Sequence, residues 1–580
     1  MDTTITDSPS ERETGPERTG AAGSGASAVG PVADRPGRFG RLGERARTLN
    51  PGWWAALLTL LPALLMARRV AKSTQMQYQD YWPTLVRITN PDGSLHFRGL
   101  FSYQNEHPFF VPQVVYYLDA KLLNGTNHEL GYFAIAMALA SLAVLWFLLP
   151  SRWSPLARTM LMLAASAVLF CPTGAWNYLK GMSGTAWITA NVFGLLGVLF
   201  ARNRQTGLAV AAAALSLLSY GTGFAAPLAV VVVALLQRDR WWRWALPLGL
   251  FFGGCVVYKL TSNGGTTGKG VSKDPGLLAQ TFLTNVSTLW DPSGSTLGLV
   301  AGAFGLVVLA VGFVTFWNQR AEHADLIPWW GVAAYALLSS GLISLSRSEA
   351  FLGDGAQARY VSLSGLFWIA VAVVGLRTLR TSRELTVGIA VIAAAVAVFW
   401  AGSPQLYQTT VSETPVQNAM AAGVRFNAAD PFQGRLQDPP AVISRLKGLG
   451  TYPFTSDYTL GCGLKPEGSI ELSKARSLPA RLFGKSASLD QDRLVGSTRE
   501  FTGWIHWVGH QLQCVVLTDS AGKIIGGGAV EVVRTDVSTA NRGFPNNTGF
   551  TAVTPSSNSD AKLVLGFSDG FYTLPTLPVP

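Results

Sequence analysis

Residues 129–150 read Glu-Leu-Gly-Tyr-Phe-Ala-Ile-Ala-Met-Ala-Leu-Ala-Ser-Leu-Ala-Val-Leu-Trp-Phe-Leu-Leu-Pro, with one acid at the start and no charge after it. As a helix such a run is roughly 30 Å long, the thickness of a bilayer's hydrocarbon core. Working outward, Ser293–Trp317 and Leu385–Ala401 repeat the pattern. Other runs are a few residues shorter or carry Gly, as between Thr206 and Arg238. Together they predict about eleven transmembrane helices, near 52–70, 129–150, 155–172, 184–201, 206–219, 223–237, 243–260, 293–317, 326–345, 359–376 and 385–401. The fold class is an α-helical polytopic membrane protein.

Composition agrees. Of 580 residues, 48% are hydrophobic and 14% charged, against about a quarter charged in soluble chains. The net charge of +11 reads as orientation. Arginines recur at every second boundary: Arg152 and Arg158; Arg202 and Arg204; Arg238, Arg240 and Arg243; Arg377, Arg380 and Arg383. Such residues are retained on the cytoplasmic side. No basic face interleaved with aromatics is present, so nucleic acid is not an expected partner. With the N-terminus inside, an odd number of spans puts the C-terminus outside. Arg68, Arg69 and Lys72 follow the first helix on the outer side, where they either snorkel to the interface or meet a lipid phosphate.

Residues 1–50 are rich in Gly, Ala, Ser, Pro and Arg and are expected to be disordered in the cytoplasm. Arg35, Arg38, Arg41, Arg45 and Arg47 flank the first helix and would touch anionic membrane lipids. Its apolar core, Trp53–Met66, ends in Ala67-Arg68-Arg69 rather than at a small-residue cleavage site, so it reads as uncleaved. Residues 51–401 form the membrane domain, and 402–580 an extracytoplasmic tail. The tail's end shows strand signals at Gly503–Val508, Gln511–Leu517, Ile524–Val533, Phe550–Val553 and Ala561–Phe567, which predict a β-sandwich. Cys171 and Cys255 behave as apolar residues, whereas an oxidising compartment would permit a disulfide between Cys462 and Cys514.

Two outer loops are long, 71–128 and 261–292. In the first, His107–Leu123 is amphipathic, with Phe109, Phe110, Val114, Val115, Leu118 and Leu122 apolar, and suits the membrane interface. Asp80 lies among aromatics in Gln77-Tyr78-Gln79-Asp80-Tyr81-Trp82. Its carboxylate is either a general base for an acceptor hydroxyl or a solvated loop residue. Asn105-Glu106-His107 either opens the amphipathic helix as cap and first-turn charge or holds sugar hydroxyls. Trp176-Asn177-Tyr178 with Lys180 reads as an aromatic belt or a sugar platform. Arg347, Glu349, Asp354, Gln357, Arg359 and Tyr360 cluster before the tenth helix. Arg359 there needs an acid or a phosphate as partner, and Lys259 at the end of the seventh helix raises the same need. The six histidines are scattered and Cys-x-x-Cys is absent, so no metal centre is expected. Gly264–Lys269 has the wrong spacing for an ATP loop.

These pieces resemble the GT-C superfamily of membrane glycosyltransferases, which use polyprenyl-phosphate sugars and carry a catalytic Asp in the first outer loop beside amphipathic surface helices. Asp80 matches that position. Asn105-Glu106-His107, Trp176-Asn177 with Gly181, and Arg359-Tyr360 resemble features of bacterial multipass proteins of this type. The resemblance covers about residues 52–401. It departs at Tyr81, which follows Asp80 where many relatives have a second acid; no cofactor is expected, and a divalent cation is left open. The tail is similar in strand pattern to carbohydrate-binding modules of some relatives, and the Ala-, Gly- and Arg-rich composition suits a high-GC bacterium such as an actinomycete.

The resemblance implies sugar transfer from a polyprenyl-phosphate donor to a cell-envelope glycan or glycolipid at the outer face of the plasma membrane. Asp80 would be the base; Asn105, Glu106, His107, Trp176, Asn177, Lys180 and Tyr360 would contact substrate; Arg68, Arg69, Lys259, Arg347 and Arg359 would meet the lipid phosphate. Two other classes compete: a transporter or flippase of lipid-linked sugars, hinted at by the Ser216–Gly223 break, and a non-enzymatic envelope-assembly protein.

Overall fold

The computed structural model describes residues 51–261, 272–291, 293–351, 358–378, 382–401 and 413–574. The expected disorder of residues 1–50, the Gly264–Lys269 stretch, Asp354 and Gln357 lie outside the described residues. Helices of eight or more residues are α1 (Pro51–Val70), α2 (Tyr81–Ile88), α3 (Phe110–Leu122), α4 (Asn127–Leu148), α5 (Pro155–Leu169), α6 (Gly181–Arg202), α7 (Thr206–Leu217) and α8 (Ala225–Leu236). They continue with α9 (Trp241–Thr261), α10 (Pro275–Ser287), α11 (Thr296–Asn318), α12 (Ile327–Arg347), α13 (Val361–Thr378), α14 (Ser382–Ala401), α15 (Thr414–Arg425) and α16 (Pro439–Leu449). Local chemistry sets several starts. Ser154 Oγ accepts from Ala157 N at 3.2 Å ahead of Pro155, and Asp274 caps α10 through Gly276 N at 2.8 Å.

A helix stands at each of the eleven positions that hydropathy marks, but the count of eleven spans is corrected. Among the described residues, six helices are long and apolar enough to cross a membrane, or seven if α5 and its bent continuation Pro172–Leu179 form one span. The clearest cause is α7 and α8, at 12 residues each. Each is about 18 Å long, well short of a roughly 30 Å core. Hydropathy registers their apolar character and the break between them, and misses that each is too short to cross.

The arginine-bearing connections meet at one end of the bundle. Arg152 donates to the Glu322 carbonyl at 3.4 Å, and Arg202 donates to the Phe147 carbonyl. Gln237 donates to the Arg202 carbonyl at 2.9 Å. Arg377 pairs with Asp325 at 3.1 Å, as Arg204 does with Asp239. The opposite end carries residues 71–126, the start of α4, the end of α12, the start of α13, and the end of α14, where Trp400 Nε1 donates to the Ala167 carbonyl at 2.9 Å.

The tail packs on that opposite end. It forms one eight-stranded sheet of β1 (Arg476–Ser477), β2 (Ala487–Val495), β3 (Thr498–Ile505), β4 (Leu512–Thr518), β5 (Ile524–Val532), β6 (Gly549–Pro555), β7 (Lys562–Phe567) and β8 (Gly570–Thr573), in the order β1-β8-β7-β4-β5-β6-β3-β2. The expected sandwich is therefore corrected to a single sheet. One face buries Phe501, Val515, Leu517, Phe550 and Leu565 in its own core. Val516, Ala529, Val553 and Val564 on the other face join the main core, against α15. Helix cover replaces the second sheet. β5 lies close to its neighbours because Gly527 and Gly528 have no Cβ: the Leu460 side chain packs on Gly527 and the β6 backbone on Gly528. At Gly528 a Cβ would lie 1.7 Å from the Thr551 carbonyl oxygen.

Cys462 and Cys514 form a disulfide across a sequence separation of 52 residues. By chain entropy, closing a loop of that size contributes about 4 kcal/mol. Reduction should therefore lower the unfolding midpoint of the detergent-solubilised protein, read by calorimetry with and without a thiol reductant. An unchanged midpoint would show that the bond does not hold the tail.

Candidate functional site

The first loop leaves α1 and turns into α2, with Asp80 at the N-terminal boundary. Asp80 is half-buried, and its side chain makes no capping hydrogen bond. Its charge acts on Arg87, Tyr116 and Arg359, so the carboxylate faces the region between α2, α3 and the start of α13. Arg87 and Thr84 on α2 both donate to Gln104 Oε1, the latter at 2.9 Å. This fixes the start of a two-residue turn, Gln104 to His107. Asn105 takes φ 51° at the turn and is exposed. Asn tolerates that region through its short polar side chain. α3 begins only at Phe110, so Asn105 is neither a helix cap nor a lining residue of the cavity described next.

That turn delivers Glu106 and His107 to a cavity of about 250 Å³ between α6, α9 and α12 and the turn that joins α7 to α8. Glu106 is bonded to Arg347 and lies 3.5 Å from His107 Nε2. The His107 ring packs on Tyr220 at 4.1 Å between centroids, Tyr220 on Trp187 at 4.3 Å, and Trp187 on Tyr360 at 5.0 Å. Burial, helped by the charges of Arg347 and Arg359, pushes His107 down to about 3, so its imidazole is neutral. Arg359 lies 5.5 Å from the Tyr360 ring, and its Nε is buried without a partner. Asn177 Nδ2 donates to the Arg359 carbonyl at 3.0 Å, which ties the start of α13 to the bend after α5.

Of the candidates named from sequence, Glu106, His107, Arg347 and Tyr360 line one cavity, with Arg359 beside it and Asp80 in electrostatic reach. Others stand apart. Arg68, Arg69 and Lys259 are exposed and do not line the cavity. Lys180 is ion-paired with Glu413 at 3.1 Å and sits over the Trp176 ring at 3.5 Å. Lys180 and Trp176 thus join the membrane part to the tail, and Asn177 is a positioning residue. Tyr220 and Trp187 were missed. Tyr220 had a signal, the Ser216–Gly223 break; Trp187, one aromatic in an apolar run, had none.

α3 turns polar residues toward the bundle and apolar ones outward, the orientation of a helix lying against lipid. It buries Gln113, Tyr116 and Asp119 and exposes Leu118 and Leu122. Both Asp119 carboxyl oxygens are buried without a partner, and burial with the nearby Glu129 pushes Asp119 up to about 9. Such a group binds its proton more tightly folded than unfolded. Its stabilisation is full below about pH 4 and is lost as pH rises through the folded value. Asp119→Asn should therefore raise the unfolding midpoint more at about pH 8.5 than at about pH 5; equal changes would contradict the burial argument. Arg347→Ala, which leaves Glu106 unpaired, should cost about 3 kcal/mol, with Glu106→Gln in the same chain recovering part of it. A midpoint unmoved by Arg347→Ala would contradict the pairing.

No protein-family model matches the chain, and no curated protein is similar to it.

Proposed function

We propose that this chain is a GT-C-type membrane glycosyltransferase. It transfers a sugar from a polyprenyl-phosphate donor to a cell-envelope glycan or glycolipid on the outer face of a bacterial plasma membrane. The observation that carries this reading is the gathering of one loop acid, Asp80, and two span-end arginines, Arg347 and Arg359, at the bundle end opposite the arginine-rich connections. Lys and Arg are retained on the cytoplasmic side, which supports reading the site end as the outer one. The Cys462–Cys514 disulfide on the same end supports an oxidising compartment.

In this reading α1, α4, α5, α6, α9, α11, α12, α13 and α14 cross the membrane, and α7 with α8 enters and returns. The number of crossings stays odd, as eleven is, so the loop and the tail keep their side. The donor phosphate meets Arg347 and Arg359. The acceptor hydroxyl oxygen attacks the anomeric carbon as the bond from that carbon to the phosphate oxygen breaks. The polyprenyl phosphate leaves with the electron pair, its charge held by the guanidiniums, and Asp80 takes the hydroxyl proton. Glu106 keeps Arg347 in position before the phosphate arrives.

A flippase of lipid-linked sugars is the second reading, favoured by the short pair α7–α8, since broken helices mark many transporter sites. The deciding experiment incubates purified protein with a panel of polyprenyl-phosphate sugars and cell-wall fragments. Release of polyprenyl phosphate that needs an acceptor, cut about 10²- to 10⁴-fold by Asp80→Asn, is the expected result. Full activity in Asp80→Asn would remove its role. Lipid translocation without any acceptor would replace the transferase by the flippase.

A further inference from the structure

The first loop has a surface that the transfer reaction does not use. Phe97 and Phe101, at the two ends of the 3₁₀ turn Phe97–Phe101, are 63% and 62% exposed. Their rings lie 5.5 Å apart, and Phe101 packs on the half-buried Phe110 at 5.3 Å. An apolar patch of this kind facing water is a liability in a folded protein.

Its depth says what covers it. Val111 N donates to the Leu218 carbonyl at 3.1 Å, so α3 begins where α7 ends. α7 starts beside Arg204 at the arginine end and is 12 residues long, so α3 begins roughly 18 Å from that end. A hydrocarbon core is about 30 Å thick, which leaves the start of α3 inside it. Phe101 touches Phe110 at that level. Two residues on, the Tyr103 hydroxyl is 2.6 Å from Thr261 Oγ1 at the far end of α9, a helix whose only buried residue is Pro247. The patch is thus continuous with the lipid-facing surface of a span.

We infer that Phe97 and Phe101 form a lip of the first loop that is inserted in the acyl region of the outer leaflet, with the exposed Arg98 reaching back to lipid phosphates. The lip is packed to the helix that carries Asp80. His96 N donates to the Ile88 carbonyl at 2.8 Å, and Gly99 lies so close to Arg87 that a Cβ would be 2.1 Å from its carbonyl oxygen. Lipid packing on the lip therefore holds α2 at a set height. This inference stands on loop geometry and does not depend on which reaction the site performs.

The test is site-directed spin labelling of the full chain in liposomes of phosphatidylethanolamine and phosphatidylglycerol. Cys255→Ser is used as background, because Cys171 is buried and the other two cysteines are bonded. A label at Phe101→Cys should be relaxed several-fold more by oxygen than by an aqueous nickel chelate. A label at Val508→Cys, a position 81% exposed on the tail, should show the reverse. Phe97→Cys gives the same readout if the Phe101 variant does not fold. Relaxation at the lip mainly by nickel would overturn the inference. So would shielding from both agents, which would report cover by protein.

Discussion

Two helices too short to cross the membrane shape the functional end of this protein. α7 and α8 each provide about 18 Å of a roughly 30 Å core, and the turn between them carries Tyr220 into the bundle. The space above is filled by the first loop: the start of α3 hydrogen-bonds to the end of α7, and His107 stacks on Tyr220. The loop's polar groups, brought to that depth, need partners in a medium of low polarity. Glu106 finds Arg347, and His107 stays neutral beside it. The aromatic cavity, the ion pair and the nearby Arg359 all follow from one missing stretch of span.

The tail is part of the same construction. Thr451 Oγ1 and Tyr452 N both donate to the Asn124 carbonyl, Arg445 Nε donates to the Thr89 carbonyl at 2.9 Å, and Glu413 holds Lys180. These bonds reach the middle and the end of the first loop and the bend before α6. The loop that carries Asp80 therefore lies between the membrane helices and the tail, pinned from both sides. A buried cation such as Lys180 is stable only because Glu413 pairs with it and the Trp176 and Tyr78 rings cover it.

Helix positions were legible because apolar runs between charged loops are a direct consequence of bilayer chemistry. Which of those helices are full spans was not. Helix length decides that, and a hydropathy average blurs it. Strands β4 to β7 were legible from alternation and turn residues, whereas the strand read at Gly503–Val508 catches only the end of β3, Thr498–Ile505. The sheet's packing against α15 was hidden, because it joins Val516, Ala529, Val553 and Val564 to a helix distant in sequence. At the site, Glu106, Arg347, Arg359 and Tyr360 were visible as costly or aromatic groups near membrane boundaries. Their pairing, and the diversion of Lys180 to Glu413, are three-dimensional facts with no local signature. Asn105 looked like a cap because a polar residue ahead of an apolar run usually is one; here the chain makes a turn first.

The central claim is that the site end and the tail share the face opposite the arginine connections, and that this face is outside the cell. Val508→Cys in a Cys255→Ser background, treated in intact cells with a membrane-impermeant maleimide, tests it most directly. Labelling before lysis is the predicted result. Labelling that appears only after lysis would put the tail, Asp80 and Arg359 in the cytoplasm and contradict the account.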